Sequence, residues 1–175
     1  YQEEIDWLVR NPDRNEIIKN LTIAQEGNTL VLFQFVEKHG TVLHEMISNS
    51  VKKGRKVFFV YGGTETEQRE QVRAITEKEN DVIIIASYGT FSTGINIRNL
   101  HNIIFASPTK SQIRVLQSIG RGLRKADNNQ MTTIYDIADD ISWKNRKNYT
   151  LNHAIDRVKL YAKEKFHFQT HEVPL

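Results

Sequence analysis

The sequence predicts an α/β fold built on a parallel sheet, and three observations carry that prediction. Short, β-branched apolar runs alternate with stretches of helical periodicity from about residue 29 to residue 136. The runs read as continuous apolar segments rather than alternating ones, the pattern of strands covered on both faces. Polar loops that carry Gln34, Gly62-Gly63, Ser87 and Ser107 follow them. In a parallel sheet with right-handed crossovers, all of these loops fall on one edge, beyond the carboxyl ends of the strands.

Each element has its own signal. Ile5, Leu8 and Val9 stand at helical spacing. Asn11-Pro12-Asp13 then stops that helix and starts another through Ile17, Ile18 and Leu21. Residues 29–35 make the first strand. A helix with the stripe Val42, Leu43, Met46, Ile47 and Val51 follows, closing at Lys52-Lys53-Gly54. Residues 56–61 form the second strand, Gly62-Gly63-Thr64 a turn, residues 66–78 a helix and residues 81–86 the third strand. A hydroxyl- and glycine-rich loop spans 87–94. Then come a strand at 102–106, a helix at about 111–121 and a fifth strand at 131–136. The tail from 141 to 168 reads as a basic amphipathic helix, with Leu151, Ile155, Val158, Ala162 and Phe166 near helical spacing. Lys144, Arg146, Lys147, Lys159, Lys163 and Lys165 lie elsewhere on it, a charge pattern that usually marks a solvated face.

The 175 residues suffice for one domain with a sizeable core, residues 1–27 being leading helices and 141–175 a helical extension. A chain that starts at Tyr1 without an initiator Met or a basic leader reads as a piece of something longer, with no signal peptide. No apolar run approaches the roughly 18 residues of a membrane span. The absence of Cys excludes a disulfide framework and a thiolate metal site and fits a reducing cytoplasm. The six His show no ligand spacing. A net charge of +3 permits a polyanionic partner without requiring one.

The chemistry lies in three stretches. Gln117-Ser118-Ile119-Gly120-Arg121-Gly122-Leu123-Arg124 sets two arginines and a glutamine at the end of a helical pattern. Guanidinium forks suit a transferring phosphoryl group. The same residues also suit a basic helix end that complements the dipole in water. In the loop from Ser87 to Ile97, the hydroxyls of Ser87, Thr90, Ser92 and Thr93 suit phosphate or sugar, and Gly89 and Gly94 allow close backbone approach. The local alternative is Thr90 or Ser92 capping a helix, with the glycines serving turns. Tyr61-Gly62-Gly63-Thr64 offers free amides for a phosphate, or simply a tight turn. No G-x-x-x-x-G-K-[ST] loop occurs, and no Asp-Glu pair follows an apolar strand. This chain therefore cannot build an ATP site alone and is expected to be inactive by itself.

Taken in order, these segments resemble the second RecA-like domain of superfamily two helicases, the half that closes on ATP bound by its partner domain. Residues 29–35 resemble motif IV, 61–69 the Gly-then-Arg segment after it, 85–97 motif V and 117–124 motif VI, in its full Q-x-x-G-R-x-x-R form. The resemblance implies a RecA-like parallel sheet flanked by helices on both faces. It implies that Gln117 orients the catalytic centre while Arg121 and Arg124 act as arginine fingers on the terminal phosphates. Gly94 and Asn96 would approach the ribose, and Gly63, Thr64, Ser87 and Thr90 would contact strand phosphates. The cofactor implied is ATP with magnesium, held mainly by the first domain. The partners implied are DNA (branched, single-stranded or in an RNA-DNA hybrid) and the N-terminal RecA-like domain of the same chain, in a monomer with no membrane contact. The wording of motifs V and VI points within the family to members that remodel branched DNA and R-loops in recombination and repair. Two positions depart from the family: Asn96 stands where Asp is common, and Tyr88 where an acidic residue is frequent.

Two rival readings remain at this level. A dinucleotide or methyl-donor enzyme would need G-x-G-x-x-G after the first strand, where Phe33-Gln34-Phe35-Val36-Glu37 stands instead. A nucleic-acid binding module without an ATPase role would use the arginines only to grip phosphate.

Overall fold

The computed structural model describes residues 1–94, 97–109 and 131–175; of residues 92–94 only the backbone is described. Two helices lead in, α1 (Gln2–Arg10) and α2 (Pro12–Ala24). The break between them is set locally. Asn11 is extended, its side chain accepts the Arg14 amide at 3.0 Å, and Pro12 takes the first helical position, where no backbone donor is needed.

The sheet comprises β1 (Thr29–Phe33), β2 (Val57–Val60), β3 (Ile83–Ser87), β4 (Asn102–Phe105) and β5 (Thr133–Asp136), in the order β2-β3-β1-β4-β5 with every pair parallel. The two-residue alternation of side chains splits the core into two layers. Leu30, Leu32, Ile84, Ala86, Ile103 and Phe105 face Val72 of α4 (Thr66–Lys78) and Tyr88 of α5 (Tyr88–Gly94). Val31, Phe33, Ile83, Ile85 and Ile104 face Ile18 of α2 and Leu43 and Ile47 of α3 (Thr41–Ser48). Helices thus cover both faces, which is why the strands read as unbroken apolar runs. Each fully buried Leu, Ile or Phe contributes roughly 1.5–3 kcal/mol of transfer free energy.

Strand ends and one helix differ from the sequence-based expectation. β1 stops at Phe33 because the chain turns there into a wide π-type turn, Val36–Gly40, in which the Gly40 amide reaches Phe35 O at 2.8 Å. Gly40 is required at this turn: a Cβ would lie 2.5 Å from the buried Phe33 ring. Residues 87–94, expected as a loop, include helix α5, because the Ser87 hydroxyl stands at its start and receives the Thr90 amide at 3.4 Å. The helix expected at about 111–121 lies outside the described residues.

The tail helix, α6, is shorter than expected, spanning Tyr149–Lys163. Glu4 of α1 fixes its start by accepting the amides of Tyr149 and Thr150 at 3.0 and 2.8 Å. Burial works upward on the Glu4 carboxyl, but these bonds, with those from the Thr150 hydroxyl and Asn148, outweigh it and hold the group below the ordinary range. At the other end, Lys165 adopts φ 57 and Phe166 donates to Tyr161 O, a left-handed cap with Phe166 packed at the edge of the Tyr161 ring. The buried face is also not the apolar stripe expected. Thr150, Ala154 and Arg157 are buried, whereas Val158 and Phe166 are exposed. Polar anchoring selects this face: Asp136, at the end of β5, accepts both Arg157 Nε and Nη2 at 2.7 Å and also the Tyr161 hydroxyl. Among the described residues, no helix is long and apolar enough to cross a membrane.

Candidate nucleotide and nucleic-acid interface at the carboxyl edge

Because all strand pairs are parallel, the loops that leave β1 to β5 open on one edge. The loop after β2 is held from behind by α4. Arg69 Nε donates to Thr64 O at 2.9 Å, and its Nη2 donates to Gly62 O at 2.9 Å and Tyr61 O at 3.3 Å. Thr64 closes the turn, its amide on Tyr61 O at 2.9 Å and its Oγ1 accepting the Tyr61 amide at 3.0 Å. A trans peptide directs its N–H opposite to its C=O. With the carbonyls of Tyr61 and Gly62 drawn toward Arg69, the amides of Gly62 and Gly63 face away from it, and both glycines are exposed. Gly63 cannot gain a side chain, since a Cβ would lie 2.7 Å from the Tyr61 ring.

The loop after β3 divides its hydroxyls between surface and core. Ser87 is half-buried and bonds the Thr90 hydroxyl at 2.7 Å, while Thr90 is buried at 4% exposure. Of the four residues named for strand contact, Gly63 is therefore open, Thr64 and Ser87 are partly open, and Thr90 is turned inward to brace Ser87. Tyr88, at the position where the resembled family frequently has an acid, is a strut. Its ring stacks on Phe105, its hydroxyl donates to Ser107 O at 2.8 Å, and burial pushes its phenol far above the ordinary range.

Between β1 and β4 lies a buried relay that no local sequence signal reveals. Asn15 Nδ2 donates to Val9 O at 3.1 Å, so its Oδ1 is the acceptor for His39 Nε2 at 2.9 Å. His39 Nδ1 is then bare and takes the Ser107 hydroxyl proton at 2.6 Å, and Ser107 Oγ accepts the Gln34 amide at 3.0 Å. This neutral tautomer satisfies every group in the chain. Burial, with the Arg14 guanidinium nearby, pushes the His39 pKa down to about 3. The unfolded chain takes up this proton near pH 6.5, whereas the folded one does not until about pH 3. The stabilisation is thus present above pH 6.5 and is lost as pH falls below it. In urea titrations between pH 6.5 and 5, above the carboxylate range, unfolding free energy should fall by about 1 kcal/mol per pH unit more in the wild type than in His39→Gln. Equal slopes would contradict the neutral, buried assignment.

Beside the relay, Arg14 grips Asp139 through Nε at 2.7 Å and Nη2 at 2.9 Å and donates Nη1 to Ala106 O at 2.7 Å. It ties α2 to the ends of β4 and of the segment after β5. Pairs like these join residues far apart in the chain, which is why sequence reading missed them. Gly94 is the last residue of α5 before the undescribed residues 95–96, and Asn96, Gln117, Arg121 and Arg124 lie outside the described residues.

Comparison with known proteins places this edge in context. Residues 13–126 match the helicase conserved C-terminal domain. The chain is 38% identical to the ATP-dependent DNA helicase uvsW of Enterobacteria phage T4, over 96% of this chain and 35% of that protein. The crystal structure of T4 UvsW superposes with a TM-score of 0.79 over 95% of this chain and 35% of that one. The C-terminal domain of the DEAD-box protein Dbp5 shares the fold, with a TM-score of 0.63 at 10% identity, over 89% of this chain and 82% of that one. The chain thus spans about a third of the length of the phage relative it matches.

Proposed function

The chain belongs to the helicase conserved C-terminal domain family, and on that premise we propose that it is the second RecA-like half of an ATP-dependent DNA helicase. The observation that carries this reading is the Arg69-braced loop, which turns the amides of Gly62 and Gly63 outward on the same edge as Ser87. Outward amides on a rigid turn suit the phosphates of a strand without reading its bases. The likeness to the T4 DNA helicase favours DNA over RNA, and the wording of motifs V and VI extends the proposal to branched DNA and RNA-DNA hybrids, in recombination and repair.

Among the described residues, no group of three or more His, Asp or Glu could hold a metal ion. In this proposal the N-terminal RecA-like domain would hold the magnesium that accompanies ATP, while Arg121, Arg124 and Gln117 of this chain would bind the phosphates. Bound ATP supplies the phosphoanhydride whose cleavage changes the charge these arginines hold. Gly94 and Asn96 approach the ribose, Asn96 as an amide hydrogen-bonding group without charge. Losing the terminal phosphate releases the arginines, and the two halves open once per turnover.

Strand contact made to phosphates is electrostatic and indifferent to sequence. Affinity of the full-length protein for a branched DNA, followed by anisotropy, should fall by about 0.7–0.9 log units per tenfold rise in salt for each phosphate neutralised, equally for unrelated base sequences. A flat salt response, or a strong base preference, contradicts this assignment. A binding module without hydrolysis would give the same salt response, and ATP turnover separates the two.

A further inference from the structure

Trp143, in the segment that follows β5, is 76% exposed and has no role in the site described above. It opens a tight turn in which the Trp143 and Arg146 amides each donate to the other's carbonyl at 3.1 Å, with Lys144 at φ 54. The turn stands on a fixed base. Asn148 accepts the Ile141 amide at 3.1 Å and donates to Asp139 O at 2.9 Å, and Asp139 is clamped by Arg14. Four steps of chain separate Asp139 from Trp143, so their Cα atoms lie within about 14 Å of each other. Lys144, Arg146 and Lys147 follow it closely in the chain, all exposed, and none forms an ion pair among the described residues. Of the acids of the segment, Asp139 is engaged by Arg14, and Asp140 accepts the Ser142 amide at 3.0 Å with the Lys147 charge also acting on it.

A large rigid π surface held in water in a turn with three exposed cations suits an unstacked base flanked by phosphates. We propose that the Trp143–Arg146 turn is a second nucleic-acid site, at which Trp143 stacks on an unpaired base of single-stranded DNA while Lys144, Arg146 and Lys147 hold the adjoining phosphates. It belongs to the segment after β5, whereas Gly63 follows β2 at the other end of the strand order. The sequence-indifferent contacts of the first site and the base-stacking contact of the second would thus be made by different loops of the domain. The proposal rests on the helicase reading given above.

The test uses the full-length protein and fluorescein-labelled oligo(dT), together with an abasic strand of the same length. Trp143→Ala should bind oligo(dT) about 5- to 100-fold more weakly than the wild type, whereas Trp143→Tyr, which keeps a π face, retains most of the affinity. On the abasic strand the gap between wild type and Trp143→Ala should vanish. Changing Lys144, Arg146 and Lys147 together to alanine should reduce the salt slope for oligo(dT) by about two. If wild type binds and Trp143→Ala matches it, or if the gap persists on the abasic strand, the stacking site is overturned and the helicase reading stands. If Trp143→Ala instead melts at lower temperature without DNA and binds oligo(dT) normally, the indole is covered by protein and the proposal fails. A wild type that binds no DNA overturns both readings.

Discussion

Replacing Arg124 with alanine in the full-length protein is expected to lower DNA-stimulated ATP hydrolysis by about 10³-fold or more, with the fold and DNA affinity kept. An arginine finger contributes roughly 10³–10⁵ in rate because its permanent charge meets the charge that develops on the transferring phosphoryl group. A lysine at the same place keeps the charge and loses the fork, so Arg124→Lys should recover only a small part of the rate. Steady-state turnover with and without DNA, beside circular dichroism of both proteins, makes the check. Near-normal turnover in Arg124→Ala would remove motif VI from the catalytic account.

The largest effect expected on stability is at the Arg14–Asp139 pair. Both side chains are nearly buried, at 3% and 8% exposure, and the pair carries two charge-assisted bonds plus the bond to Ala106 O. Asp139→Ala strands the guanidinium with one carbonyl partner, a loss of about 3–5 kcal/mol. Replacing both residues with Leu or Met should cost much less than the single change, because the larger penalty is the uncompensated charge rather than the missing bridge. Denaturant unfolding of the three variants measures this, and a double variant as unstable as Asp139→Ala would contradict it. The same pair roots the segment that leads to Trp143, so the single variant should also weaken contacts made from that turn.

What was legible in the sequence followed from short-range chemistry. The strands announce themselves because burial on both faces leaves their centres apolar, as in Ile83, Ile84 and Ile85. α4 was read at its observed bounds, since its charged face and the Gly62-Gly63 turn before it are local signals. The misreadings have long-range causes. α6 begins at Tyr149 because Glu4, more than 140 residues earlier, takes its first amides, and its buried face is chosen by Asp136. Periodicity sees neither. The local reading offers Thr90 or Ser92 as the cap, whereas it is the Ser87 hydroxyl that stands at the start of α5 and receives the Thr90 amide, with Ser87 half-buried and Thr90 buried. The relay from Asn15 through His39 to Ser107 joins three segments, and a lone His gives no hint of it.

The central claim is that this chain is the arginine-bearing half of a shared ATP site, and turnover by the unaltered full-length protein tests it most directly. ATP hydrolysis should be slow without DNA and rise strongly on adding a branched DNA, as closure of the two halves brings Arg121 and Arg124 to the phosphates. DNA binding with no ATP hydrolysis under either condition would contradict the claim and leave a nucleic-acid binding module.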